Sequence, residues 1–172
     1  MIPRAVLAAP VAIIFLGLAC AGAADSQPRA AAARPARTVA FQTLDQRGVP
    51  GQSGGEIRQV ARDDASWRAL WAQLREGGGD SLPEEPPTVD FDREVAIVVA
   101  MPTQSCVSKV TIQSVVRQGK GAVVTLLEAP PAPNCICAVA QRPFHAIRLP
   151  RIEGDVRFAA RRGLTSCGPN RF

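Results

Sequence analysis

The feature that most constrains the fold is a run of seven consecutive apolar residues, 95–101. A run this short, rich in β-branched side chains and without alternation, is typical of a β-strand that is covered on both faces. Residues 86–92, just before it, contain prolines and aspartates that interrupt regular structure. The sequence therefore predicts that residues 95–101 form the central strand of a sheet.

The first 24 residues have the pattern of an export signal. Arg4 provides a positive start, residues 5–18 are mostly apolar, and small residues follow up to Asp25. The apolar run is shorter than the ~20 residues that a membrane-spanning helix needs. We therefore expect residues 1–24 to be a signal peptide and the mature protein to be extracytoplasmic, in the periplasm or cell envelope.

The signal can be processed in two ways, and both remain open. Cys20 and the four residues before it resemble a bacterial lipobox, in which the cysteine is lipidated and anchors the protein to the membrane. Residues 21–23, Ala-Gly-Ala, equally match the site of ordinary signal peptidase, which would leave a secreted protein. A lipid on Cys20 is the one membrane contact that we expect.

Residues 25–37 are expected to be a flexible tether. They contain alanine, proline, arginine, serine and glutamine but no large apolar residue, so they cannot bury enough surface to offset the entropy of ordering. The remaining residues, 38–172, suffice for one domain with a modest core.

The charge pattern argues against nucleic-acid binding. The formal net charge is +5, but the basic residues are scattered along the chain and there is no tyrosine. A nucleic-acid interface would need a clustered basic face with aromatic side chains for stacking. We therefore expect no nucleic-acid partner.

Residues 64–76 have the pattern of one amphipathic helix. Asp63 or Asp64 is suited to the N-cap, and three glycines at 77–79 would end the helix. At a spacing of i, i+3, i+4 and i+7, large apolar side chains are more often anchors to a sheet than ligand-stacking groups. The four predicted anchors are Trp67, Leu70, Trp71 and Leu74.

Alternating and apolar segments predict further strands at 38–44, 56–62, 107–116, 122–128, 143–149 and 155–159. Residues 48–55 are predicted to be a turn-rich break and residues 118–121 a hairpin turn. In the strand at 107–116, one face is predicted to hold Val110, Ile112, Ser114 and Val116. The predicted fold class is α+β: a mainly antiparallel sheet of about seven strands with the helix packed on it.

Four cysteines follow the signal, and an even number outside the cytoplasm favours disulfides. The predicted hairpin places residue 106 opposite residue 132, so we expect Cys106 to bond with Cys135 or Cys137. The remaining cysteine of that pair would bond with Cys167. The alternative, a metal or redox site at Cys135 and Cys137, is a weak zinc pattern, so we expect no metal and no cofactor.

No catalytic group is predicted. His145, the single histidine, is expected to share a strand face with Ile147 and Leu149 and to be half-buried or at the surface. No serine lies in a glycine-flanked nucleophile elbow that this histidine could serve. Asp90 and Asp92 are predicted to cap turns rather than to act as paired acids. We therefore expect that the protein is not an enzyme.

Several segments, taken in order, resemble the C-terminal domain of PrcB, a bacterial lipoprotein family whose founding member is the accessory subunit of an exported protease complex. The segments are 66–74 (SWRALWAQL), 87–91 (PTVDF) leading into 94–100, and 142–150 (RPFHAIRLP) followed by 156–158 (VRF). The chain departs from the family pattern at 101–106, where the family tends to carry a glycine-rich turn with an aromatic residue.

The resemblance implies a non-enzymatic exported protein-interaction module, with an accessory or stabilising role for an envelope protease or another exported partner. It implies no catalytic residues. The alternative is an extracytoplasmic small-molecule or metal-binding protein, which would rest on Trp67, Trp71, His145 and the two close cysteines Cys135 and Cys137.

Overall fold

The computed structural model describes residues 36–51, 54–76, 81–105, 108–132, 135 and 140–163. All of them belong to one compact unit, Ala33–Phe172. The predicted signal peptide and nearly all of the predicted tether lie outside the described residues; Arg37, assigned to the tether, begins the first strand. Within the described ranges, no helix is long and apolar enough to cross a membrane.

The described ranges contain one helix, eight strands of three or more residues and one strand of two residues. In chain order they are β1 Arg37–Val39, β2 Gln42–Pro50, β3 Ile57–Ala61, α1 Asp64–Arg75, β4 Glu94–Ala100, β5 Gln104–Ser105, β6 Lys109–Gln118, β7 Gly121–Ala129, β8 Ala140–Pro150 and β9 Val156–Arg162. The prediction of an α+β fold with mainly antiparallel strands is confirmed, although the strands outnumber the seven that were predicted.

The strands form two sheets rather than the single sheet that was predicted. The first sheet has the order β1-β6-β7-β9, and the second has the order β2-β8-β4-β3, with β5 also paired to β8. Every pairing is antiparallel except that of β7 with β9, which is parallel. A strand that is apolar on both faces needs a cover on each side, and here α1 covers one face of the second sheet while the first sheet covers the other.

Strand β4 lies inside the second sheet, as the apolar run predicts. Its residues after Glu94 are at most 3% exposed. Val95, Ile97 and Val99 point into the core between the two sheets, whereas the alternate residues 96, 98 and 100 point toward α1. The central-strand prediction is therefore confirmed.

Helix α1 begins after Asp63, whose carboxylate accepts a hydrogen bond from the backbone N–H of Ser66 at 2.7 Å. This interaction satisfies one of the free N–H groups of the first turn. The helix ends at Arg75, one residue before the predicted end. All four predicted anchors are buried against the second sheet: Trp67, Leu70, Trp71 and Leu74.

The hairpin of β6 and β7 turns at Gly119 and Lys120, with a positive φ of 60° at Gly119. The pairing register shifts between Ile112 and Ser114. Beyond this bulge Val115 is buried and Val116 is only half-buried, so the prediction that Ser114 and Val116 share the buried face is wrong. An extra residue in a strand inverts the faces that follow it, and simple alternation does not reveal it.

The predicted first strand, 38–44, is two strands in different sheets. β1 pairs with β6 of the first sheet, and after residues 40–41 β2 pairs with β8 of the second. Residues 48–50, predicted as part of a turn, continue β2, where Gly48 lies opposite Pro143 and Pro50 opposite Gln141. Glycine and proline are tolerated here because β2 is an edge strand, with no neighbour on one side.

Gly121, the first residue of β7, packs closely against the backbone of Asp155, in the segment before β9. A Cβ at Gly121 would come within 2.3 Å of the Asp155 backbone oxygen, which accepts a hydrogen bond from the Ala122 N–H at 3.0 Å. Gly121→Ala should therefore lower the free energy of unfolding by about 1–3 kcal/mol, the usual effect of overpacking. Urea denaturation measures this loss. The control is Gly55→Ala, because a Cβ there meets no atom within 4 Å; equal stability of the two variants would contradict the prediction.

Candidate functional site

The two tryptophans are structural anchors inside the fold. The indole N–H of Trp67 donates to the Pro87 carbonyl and that of Trp71 to the Pro83 carbonyl, each at 2.9 Å. Trp71 also packs edge-on against Phe144, with the ring centroids 6.3 Å apart. Both indoles thus hold the segment after α1 to the helix, and neither ring is available to stack on a ligand.

His145 is buried between the two sheets, with 2% of its surface exposed. The backbone N–H of Ile112 in β6 donates to its Nδ1 at 2.9 Å. Because Nδ1 accepts a hydrogen bond, the ring proton is on Nε2, which donates to Thr43 Oγ1 at 2.9 Å. The imidazole thus joins β8 of the second sheet to β6 of the first, next to the bulge.

The environment of His145 favours the neutral imidazole. Burial, and then the positive charge of Lys109, lower the pKa of His145 from 6.5 to about 4. In this tautomer Nε2 cannot accept the hydroxyl proton of Thr43, so the two side chains do not form a nucleophile and base. The prediction that His145 shares a face with Ile147 and Leu149 agrees with the structure, but the prediction of a half-buried or surface position is wrong. Alternation identifies the face of a strand, not the second sheet that covers it.

Asp90 caps a turn, as predicted. Its Oδ1 accepts from the backbone N–H of Asp92 at 3.2 Å, and its backbone oxygen accepts from the N–H groups of Arg93 and Glu94. Both aspartates are exposed. Their geometry is that of an Asx turn leading into β4 and not that of a pair of catalytic acids.

Arg142 is a buried cation that the sequence patterns did not identify. Only 4% of it is exposed, and its guanidinium donates to the Gln73 carbonyl at 3.1 Å and to the Gly55 carbonyl at 2.6 Å. Burial lowers the pKa of Arg142, while the nearby charge of Glu76 opposes this shift. The Gln73 carbonyl lies in the last turns of α1, where the helix dipole favours a cation. Arg142 therefore clamps β8, the end of α1 and the segment before β3 together.

The cysteine predictions lie mostly outside the described residues. Cys135 is disulfide-bonded and half-buried, whereas Cys106, Cys137 and Cys167 are not described. Lys109 pairs with Ala129, which is the hairpin alignment that the prediction for Cys106 used. The pairing itself stays a prediction. Among the described residues, no group of three or more His, Cys, Asp or Glu side chains is arranged to hold a metal ion.

The outer face of the first sheet is the side turned away from the second sheet. In β7, Val124 and Leu126 point into the core, so the alternate residues point outward. Strand pairing places outward residues of β6 and β9 beside them. The outer face includes Thr38, Lys109, Thr111, Ser114, Val116, Gln118, Val123, Thr125, Leu127, Arg157, Ala159 and Arg161.

This outer face is apolar in its middle and cationic along β9. Val123 and Leu127 are half-buried and lie opposite the exposed Arg157 and Arg161. Arg157 donates to the Gln118 side-chain oxygen at 2.8 Å, which holds the guanidinium along the sheet. The residues named for the outer face include no aspartate or glutamate, but the exposed Asp155 lies at one end of the face, where it lines the same surface depression as Gln118 and Arg157. Arginine beside aliphatic side chains is a composition that protein interfaces favour.

Comparisons of the chain with protein-family models, with curated proteins and with solved structures found no match.

Proposed function

We propose that the protein is a non-enzymatic, exported protein-interaction module whose contact surface is the outer face of the first sheet. The observation that carries this proposal is the pairing of half-buried aliphatic side chains with two exposed arginines, Arg157 and Arg161, on neighbouring strands of one face. Buried apolar area would contribute to affinity, and the arginines would orient the partner.

Charge complementarity defines the partner. Arg157 and Arg161 lie four residues apart on one strand, so they can meet two carboxylates along one edge of a partner surface. The aliphatic middle of the face fits an apolar patch beside those carboxylates. The proposed partner is therefore an exported protein with an apolar surface bordered by Asp or Glu.

The resemblance of segments between residues 66 and 158 to the PrcB C-terminal domain supports a specific form of this proposal, an accessory or stabilising subunit of an envelope protease. The export pattern of residues 1–24 supports a location outside the cytoplasm. Lipid on Cys20, followed by the tether, would keep the domain close to the membrane and raise its effective concentration near an envelope partner.

The proposal is tested in two steps, of which the first identifies the partner. A photo-crosslinking amino acid at Thr125, in the middle of the outer face, is compared with the same group at Ala69, on the exposed side of α1. We expect one exported protein to be crosslinked in cells from position 125 and not from position 69. Equal crosslinking from both positions would contradict the choice of surface.

The second step measures affinity for the purified partner. The double variant Arg157→Glu, Arg161→Glu should raise the Kd by at least about tenfold, because two attractive charges become repulsive. The control is Arg68→Glu together with Arg93→Glu, which makes the same charge change at exposed positions elsewhere. If both double variants weaken binding equally, the effect is net charge alone and the proposed surface is wrong.

A further inference from the structure

A cleft of about 300 Å³ opens where β2 and β8 of the second sheet face the start of β6. Its lining includes Val110, Pro143 and Phe144, all of which are buried, although the ring of Phe144 points to the other side of β8, toward α1. This volume is at the lower end of the range for small-molecule sites. The cleft lies at the edge of the first sheet, and Lys109 is the one residue named for the outer face that also lines it.

Ser108 places an unsatisfied hydroxyl at this cleft. The residue is 6% exposed, and its Oγ has no hydrogen-bond partner among the described residues. Buried hydroxyl groups in folded proteins nearly always have a partner, either in the protein or in a bound molecule. The hydroxyl of Ser108 is enclosed in the observed rotamer, and a rotation of this side chain toward the cleft would let it donate a hydrogen bond to an acceptor there.

The charged groups that line the cleft are both basic. They are Arg47 and Lys109, and the lining includes no aspartate or glutamate. Arg47 is engaged by Asp45, with Nε and Oδ1 2.8 Å apart, which leaves Lys109 as the main uncompensated charge. The cleft therefore favours an anion.

The walls of the cleft are held in place before any ligand binds. The amide nitrogen of Gln46 donates to the Val110 carbonyl and to the Thr111 hydroxyl, each at 2.9 Å. These hydrogen bonds fix β2 against β6 on one side of the cleft. A preformed site loses little conformational entropy when it binds a ligand.

We propose that this cleft binds a small organic carboxylate. The carboxylate accepts a hydrogen bond from the Ser108 hydroxyl and pairs with the Lys109 ammonium, while the apolar body of the ligand lies on Pro143, on the side of β8 that faces β6. A hydroxyl donor and a cation above an apolar floor match a molecule with one charged end and one apolar end.

The test uses hexanoate and benzoate as probes, with hexanamide and benzamide as uncharged controls of nearly the same shape. Backbone amide signals of the full mature protein are followed by NMR during titration. We expect saturable shifts centred on Val110 and Phe144 with either carboxylate, and binding of the amides weaker by about tenfold or more. Equal binding of acids and amides, or no saturable shift at these residues with either acid, would overturn the proposal.

Variants assign the binding to the named groups. Lys109→Gln should raise the Kd of the carboxylate about tenfold, whereas Lys120→Gln, at the second lysine of the chain, should change it less than about twofold. Ser108→Ala should also weaken binding, and it removes a hydroxyl that has no partner among the described residues. Unchanged affinity in both Lys109→Gln and Ser108→Ala would refute the site. Ser108→Ala leaves the outer face unchanged, and the titrations use the purified protein alone, so the outcome is independent of the proposed protein partner.

Discussion

Replacing Trp67 by alanine is expected to lower the free energy of unfolding by about 3–5 kcal/mol, the range for removing a buried aromatic side chain. Trp67 is 1% exposed, and its ring centroid lies 5.5 Å from that of Trp71. The indole also donates to the Pro87 carbonyl. The substitution therefore creates a cavity between α1 and the second sheet and removes one hydrogen bond to the connecting segment. Guanidinium denaturation, with the slope m checked for constancy, measures the loss.

Two further variants separate the sources of this loss. Trp67→Phe keeps most of the buried apolar volume but leaves the Pro87 carbonyl without its donor, so we expect a smaller loss of about 1–3 kcal/mol. Arg68→Ala, next in the same helix, has an exposed side chain and should change stability by less than about 0.5 kcal/mol. If Trp67→Ala lost no more than Arg68→Ala, the anchoring role of the tryptophan would be refuted.

The elements that could be predicted from the sequence are those whose pattern is local. The apolar run at 95–101 predicts a doubly covered strand because it is short, rich in β-branched residues and without alternation, and β4 is such a strand. The four apolar anchors of α1 recur with the helical period and follow a capping aspartate, so both the helix and its buried side are evident in advance.

The two-sheet arrangement could not be predicted because it depends on pairing between distant segments. Nothing between residues 38 and 44 indicates that the chain leaves one sheet at Val39 and enters the other at Gln42. The local sequence does not indicate the bulge after Ile112 either, because Ser114, Val115 and Val116 could each lie on the buried or the outer face of the strand. In each case the tertiary partner, and not the local sequence, decides the outcome.

The candidate surfaces were missed for the same reason. Arg157 and Arg161 are ordinary basic residues until β9 pairs in parallel with β7 and places them beside Val123 and Leu127. The Ser108 hydroxyl becomes part of a candidate site only because residues of β2 and β8 form a cleft beside it. A sequence pattern can indicate which side chains are exposed on a strand, but the neighbours that make a site come from non-consecutive strands.

The stability of the protein is expected to fall as the pH is lowered from about 6.5 to about 4, by up to about 3 kcal/mol on account of His145 alone. Burial first, and the charge of Lys109 second, lower the pKa of the folded imidazole from 6.5 to about 4. Between these values the unfolded chain binds a proton that the folded protein excludes, so acid favours unfolding. The contribution of His145 is complete above pH 6.5 and is lost progressively down to pH 4.

The variant His145→Asn isolates this contribution from the carboxylates, which also titrate in acid. The Asn side-chain oxygen can accept from the Ile112 N–H in place of Nδ1, but the residue carries no titratable group. Urea denaturation at a series of pH values from 4 to 8 gives the difference in unfolding free energy between the two proteins. We expect the advantage of the histidine protein to be constant above about pH 6.5 and to shrink by about 1.4 kcal/mol for each pH unit below it. If the difference did not change with pH, the imidazole would be protonated as readily in the folded protein as in the unfolded chain. The conclusion that His145 is buried and neutral between the two sheets would then be wrong.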